Sequence, residues 1–332
     1  HQARYLVLRR EPQLWAKVLA EDNVHRRSLI DQVTAVAVPE STNPEDVSAT
    51  VKAFMTADLP HELIKLLEPI VLETSAFSDN RSLKNLLLLT AIRTDKAKVS
   101  GYIDRLTGYD VDEIARIAID HGLYEEAFQI YSKAQQNLDA MNVLVEHIVS
   151  IDRAQHFANK LNQPDIWSRL GKAQLDGLRV KDAIDSYVRA EDPANFDEVI
   201  EIAERAGREE ELIRYLQMAR KQTREPKIDT EYAYCLAKAH RLSDMEEFLS
   251  MTNVADVLSV GEKCFHDGLY EAARLLFSSV SNYARLATTL VYLNDFPSAI
   301  EAARKAGNTA VWKQMHAACL NKREFKLAQI AG

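Results

Sequence analysis

Glycine and proline are scarce, at 10 and 9 of 332 residues, against the roughly 12% the two make up together in an average chain. Sandwiches, barrels and Rossmann-type sheets need such turn residues at short intervals. The scarcity excludes them and leaves long helices joined by short turns. Cysteine is scarce too. Cys235, Cys264 and Cys319 lie 29 and 55 residues apart, with no CxxC and no histidine at ligand spacing, which predicts buried free thiols in a reducing compartment. Long apolar runs are missing: Leu86–Leu89 is followed by Thr90, Ala91, Ile92 and then Arg93, far short of the about 20 residues of a membrane span. Basic charge is not in excess, with 41 Lys and Arg against 49 Asp and Glu and a net charge of −8, so nucleic acid is not an expected partner. Disorder is excluded from the other side, since 47% of the residues are hydrophobic and no low-complexity stretch occurs. The first residue is not methionine, no signal-peptide pattern is present and a helical pattern persists to the last residues. We therefore expect a piece of a longer cytosolic chain, without direct membrane insertion.

Motifs that carry chemistry are absent as well. There is no GxGxxG or GxxxxGK[ST] to cradle phosphate, no HExxH or Cys/His cluster with zinc spacing, and no GxSxG. Asp120-His121 and His266-Asp267 could pair as acid and base, but each flanks a glycine turn and reads as a hydrated helix end. Asn80-Arg81-Ser82 fits the glycosylation triplet, which a cytosolic chain would not use. No catalytic, cofactor-binding or metal-ligating residue is assigned, no cofactor is expected, and the chain is not expected to be an enzyme.

What is present is a long internal repeat. Asp110-Val111, Gly122-Leu123-Tyr124-Glu125-Glu126-Ala127 and Tyr131 recur 146 residues later as Asp256-Val257, Gly268-Leu269-Tyr270-Glu271-Ala272-Ala273 and Phe277. Ala154, Ala158, Trp167, Ala173, Leu175, Lys181 and Ala183 recur 145 residues later as Ala299, Ala303, Trp312, Ala318, Leu320, Lys326 and Ala328, so one residue is lost between the two blocks. Upstream, Pro44 and Glu62–Leu67 match Pro193 and Glu211–Leu216 at an offset of 149, and Pro12 with Trp15 matches Pro164 with Trp167 at 152. Trp15, Trp167 and Trp312, the only tryptophans, thus share one repeat position. Ligand-stacking platforms would also use tryptophan, but a shared position predicts one packing role filled three times.

A shorter period lies inside the long one. A small residue four before a glycine, followed by an acidic, alanine-rich helix start, occurs at Gly122, Gly177, Gly207 and Gly268, near multiples of about 30 residues, the size of a helical hairpin. These glycines are expected to take the left-handed conformation that ends a helix, and the acidic residues after them suit the next helix's positive end. Apolar positions such as Val111, Ile114, Ala115, Ile117 and Ala118 have helical spacing, and several helices are apolar on two faces, as helices packed on neighbours before and behind must be. The pattern predicts an all-α, right-handed α-solenoid of stacked antiparallel hairpins of about 30 residues. It divides into the end of one repeat at 1–40, a complete repeat at 41–190 and most of a third at 191–332. Val38–Pro44 should be an exposed connection with a cap near Asn43 or Ser41, and Thr74–Ser82 is a candidate bend. Arg220, Arg224 and Lys227, spaced i, i+4 and i+7, are expected on one helix face, and Lys322, Arg323 and Lys326 form a second basic cluster. Each is either an ordinary solvated face or a dock for an acidic or amphipathic partner helix.

Val51–Pro60, Asn85–Ile92, Ala183–Tyr187 and Tyr215–Lys221 closely resemble the clathrin heavy chain family, over essentially all 332 residues. The resemblance implies a segment of the triskelion leg around the knee, with a structural role in the polyhedral lattice of coated pits and vesicles on the cytosolic face of membranes. Implied partners are neighbouring heavy-chain legs, a homotrimer joined through a region outside this sequence, and the clathrin light chain. Light-chain contact is expected from about Arg205 onward, with Lys322, Arg323 and Lys326 preferred and Arg220, Arg224 and Lys227 as further candidates; Arg323 stands where the family commonly has lysine, which keeps charge but alters geometry. The alternative is an α-solenoid subunit of a vesicle tethering or sorting complex that uses the same repeat.

Overall fold

The computed structural model describes residues 1–73, 75–323 and 325–331, and among these all side chains but those of 327, 330 and 331. Every regular element among them is helical. Local chemistry fixes the ends. Asn43, Asn80, Asp110, Asp256, Asn282, Asp295 and Asn308 each accept a hydrogen bond from a backbone N–H two or three residues ahead, satisfying a donor that the first helical turn leaves open. Pro12, Pro44, Pro60, Pro164 and Pro226 are first residues of their helices, where the missing N–H costs nothing. Ahead of Asn80, the Ser75 hydroxyl donates to the Ile70 carbonyl at 2.6 Å and accepts from Phe77 N–H; Thr74, the first residue of the expected bend, lies outside the described residues.

Helix stops recur with the repeat. Left-handed residues pair as Asp58 with Gly207, Gly122 with Gly268, Gln135 with Ser281, Val149 with Asn294, Asn162 with Gly307 and Leu178 with Arg323, each separated by the local repeat offset. Gly122, Gly207 and Gly268 have φ of +76°, +63° and +77°. Gly177 differs from expectation: its φ is −82°, and the left-handed residue is its neighbour Leu178, φ +58°. A right-handed Gly177 caps through N–H to the Ala173 carbonyl, so the stop falls one residue later.

The residue lost between repeat blocks also has a structural location. Helix Asn137–Asn142 runs into a π-helical turn, Val143–His147, closed by Ile148 N–H to the Val143 carbonyl at 3.0 Å. The corresponding helix of the next copy, Tyr283–Tyr292, is α-helical throughout. A π-turn absorbs one extra residue inside a helix. The offset therefore changes from 146 to 145 here while the flanking turns stay in step.

The chain forms two compact units, His1–Ala154 and Gln155–Gly332. In the first, one continuous core runs from Ala3 to Val143 and includes Trp15, Phe54, Leu66, Leu87, Leu88 and Ile114. The second holds one core from Leu175 to Phe277, around Tyr187, Tyr215 and Leu276, and a smaller one from Ala287 to Ala328. Within each unit successive hairpins stack, making an all-α solenoid of helical hairpins. Ion pairs link hairpins along the stack: Arg27–Glu62, Lys98–Glu68, Arg81–Asp110 and Arg153–Glu125 in the first unit, and Lys172–Glu198, Arg214–Asp185, Lys227–Asp197, Arg241–Glu210 and Arg285–Glu262 in the second. Exposed pairs contribute about 0.2–1 kcal/mol each, so they select which hairpin faces which while apolar burial supplies the stability.

Candidate interaction surfaces and the tryptophan turn

A repeated turn sets each tryptophan. Five residues before it stands a left-handed residue, Arg10 (φ +54°), Asn162 (φ +50°) or Gly307 (φ +61°). An extended N-cap follows, Glu11, Gln163 or Asn308, then the helices Pro12–Val18, Pro164–Asp176 and Thr309–Asn321. Trp15, Trp167 and Trp312 are each the fourth helical residue. Their surroundings differ. Trp167 is 2% exposed, its indole N–H donates to Asn162 Oδ1 at 3.0 Å, and the Arg189 guanidinium lies 4.6 Å from its ring. Trp15 is equally buried and meets Phe54 edge-on at 6.1 Å, but its indole N–H has no acceptor among the described residues, because Arg10 occupies the place of Asn162 and is held by Asp46 at 2.6 Å and by Glu45. Trp312 is half-buried against the small C-terminal core. At 2% exposure neither Trp15 nor Trp167 presents a ring face on which a ligand could stack.

Beside Trp15 lies an open groove of about 890 Å³ between the helix Pro12–Val18, with the turn after it, and the helix Pro44–Thr56. Its walls include Ala16, Ala20, Ala49, Ala53 and Lys52.

The expected basic face at 220–227 does not form. Helix Glu209–Gln222 ends before Arg224, Thr223 is extended, and Lys227 belongs to the next helix, Pro226–Lys238, since Pro226 cannot continue the first. Arg220 is a packing residue: its Nε donates to Asp229 at 2.5 Å, and its guanidinium lies 4.9 Å from the Tyr232 ring and 4.5 Å from that of Phe248. Lys227 pairs with Asp197. Arg224 is exposed. In the second cluster, Lys322 donates to the Tyr292 carbonyl and to Asn294 Oδ1, whereas Arg323 and Lys326 are exposed.

Buried titratable groups follow their surroundings. Desolvation pushes the Cys235 and Cys264 thiols up to about 12, so both stay protonated and unreactive at neutral pH. Burial, reinforced by Glu204, also raises Glu231, whose Oε2 has no partner among the described residues. Gln174, fully buried, accepts from the Ser186 hydroxyl at 2.6 Å and donates to Gln155. No periodic signal marks Glu231 or Gln174, because each is a polar residue at a position the pattern assigns to helix packing. Among the described residues no three His, Cys, Asp or Glu side chains converge as metal ligands, and no helix is long and apolar enough to cross a membrane.

The repeat seen in turns and tryptophans has a counterpart among known proteins. The family model described as clathrin, a region in clathrin and VPS, matches residues 38–182 and again 187–327. The chain belongs to the clathrin repeat family. It is 57% identical to a probable clathrin heavy chain of Schizosaccharomyces pombe over 330 residues, covering 99% of this chain. It is 52% identical to a clathrin heavy chain of Drosophila melanogaster and 51% identical to clathrin heavy chain 2 of Homo sapiens, both over 331 residues and 100% of this chain. The chain spans about a fifth of the length of these clathrin heavy chains.

Proposed function

We propose that the chain is a structural segment of a clathrin heavy-chain leg and helps to set the reach and stiffness of a lattice that coats pits and vesicles on the cytosolic side of membranes. The observation that carries this reading is the identity of 50–57% to clathrin heavy chains along the whole length, on a stack in which hairpins pack on their neighbours. Its partners would be other heavy-chain legs, with trimer formation through another part of the full-length protein. The two matches at 38–182 and 187–327 support a division into a repeat end at 1–40, a complete repeat at 41–190 and most of a third at 191–332. The test is geometric. In a full-length heavy chain, in-frame removal of the helix pair Glu209–Gln222 and Pro226–Lys238 shortens the leg by one hairpin. Electron microscopy should then show coats that fail to close or have shorter edges, and coats of unchanged dimensions would overturn the reading.

The finer reading is that the C-terminal part contacts the light chain through Arg323 and Lys326. Both are exposed, as is the further candidate Arg224, whereas Lys322, Arg220 and Lys227 are engaged within the chain. Arg323→Glu with Lys326→Glu should weaken light-chain capture about tenfold without lowering helix content, and undiminished capture would refute it.

A further inference from the structure

At the groove beside Trp15 the first copy of the repeat departs from the second. One wall is helix Pro44–Thr56 with its C-cap Ala57, and Glu45, Ser48, Ala49, Lys52, Ala53 and Ala57 all line the groove. These positions follow each other at three- and four-residue intervals, so one face of the helix stands open from Glu45 to Ala57, roughly 18 Å at 1.5 Å per residue. At the local offset of 149 the same face reads Asp197, Glu198, Glu201 and Ile202, and the counterpart of Ala20, 152 residues on, is Lys172. Lys172 Nζ lies 2.7 Å from Glu198 and 2.9 Å from Asp176. In the second copy, then, a lysine–glutamate bridge crosses the interval that Ala20 and Ala49 leave open in the first.

The groove's charge is also reversed. Lys52 stands where the second copy has Glu201 and has no carboxylate partner among the described residues. Arg26, half-buried in the groove wall, likewise makes no ion pair among the described residues. Of the acidic lining residues, Glu45 is already held by Arg10, leaving Glu21. Unpaired cations above a floor of alanines call for an occupant that brings negative charge.

We propose that this groove docks an amphipathic helix of a partner protein, its small apolar face on Ala49, Ala53 and Ala57 and its carboxylates over Lys52 and Arg26. Alanine ridges let two helix axes approach to about 8 Å, and the open face is long enough for about three turns, the reach of a helix-in-groove contact.

The probe is a stapled helical peptide of about three turns with alanines along one face flanked by glutamates, labelled with fluorescein and titrated into the intact chain. Saturable binding in the micromolar range is expected, with slowed amide exchange confined to helices Pro12–Val18 and Pro44–Thr56. Replacing the peptide's glutamates by lysines should weaken binding at least about tenfold. So should the double variant Ala20→Lys with Ala49→Glu, which rebuilds the bridge of the second copy and closes the groove. Lys52→Glu, an exposed substitution that leaves the packing untouched, should invert the preference toward the lysine peptide and decides the matter if the double variant misfolds. Equal binding of the two peptides, undiminished binding by the closed variant, or protection that maps elsewhere would overturn the proposal.

Discussion

In the second copy of the repeat Lys172 reaches across to Glu198, Asn162 accepts a hydrogen bond from the Trp167 indole N–H and Arg189 covers the ring. In the first copy the same positions hold Ala20, Ala49 and Arg10, the Trp15 indole has no acceptor among the described residues, and a groove opens beside it. Backbone plan is not what separates them: both have a left-handed residue, an extended cap, a proline and a tryptophan at the same spacing. The difference lies in side chains laid over a common frame. A repeat can therefore keep its stacking geometry while any one copy is left open as a surface, because each hairpin rests on its neighbours.

Tryptophan truncation should separate the copies most. Trp167→Ala removes a buried ring and leaves Asn162 without its donor, and should cost about 3–5 kcal/mol. Trp15→Ala orphans no partner and should cost about 1 kcal/mol less, and Trp312→Ala, half-buried, least of all. Amide exchange resolved by helix is the suitable measure, since stacked repeats need not unfold in one step. Equal losses at Trp15 and Trp167 would show that the Asn162 bond contributes nothing.

A second contrast is internal to two helices. Ala115 in Val111–Asp120 corresponds to Gly261 in Val257–His266. Ala115 is fully buried with its methyl in place, whereas a Cβ on Gly261 would sit 2.7 Å from the Phe277 ring. Gly261→Ala should destabilise by about 1–3 kcal/mol from overpacking, partly offset by about 1 kcal/mol of helix propensity, and the loss should shrink in a Phe277→Leu background. Below that in size stands Asn162→Gly, which keeps φ positive but frees the indole proton, at about 1 kcal/mol. Asn162→Ala should cost about 1 kcal/mol more because alanine resists the left-handed conformation. If alanine and glycine are equivalent there, the turn is not what positions Trp167.

The helical class, the repeat and the shared tryptophan position were all legible in the sequence, because apolar spacing and a tryptophan triplet survive substitution around them. Non-glycine stops were not. Gln135, Val149, Leu178 and Ser281 are left-handed without glycine or, in these four, asparagine to announce it, since tertiary stacking outweighs a local penalty of about 1–2 kcal/mol. Arg220 read as a surface cation from its spacing to Arg224 and Lys227, yet Pro226 breaks the helix and Arg220 is packed between Asp229 and two rings. Charge spacing reports a face only where the helix is continuous. The groove had no signature either, because an alanine lining an open wall looks in sequence like an alanine in a tight helix contact.

The smallest expected effect bears most directly on how the copies differ. Lys172 and Glu198 are each more than a third exposed, so Glu198→Ala should cost only about 0.2–1 kcal/mol and less in high salt. Its pH dependence has a definite sign. The Lys172 ammonium is held above its ordinary value, chiefly by its hydrogen bond to Glu198, so the contribution is complete below the unfolded lysine value of about 10.4 and is lost as pH rises through the higher folded value. Denaturation of the parent and of Glu198→Ala should therefore differ by a constant amount from pH 6 to pH 9 and converge above about pH 10.5. A gap that closes near neutral pH would mean that something other than this bridge closes the second copy.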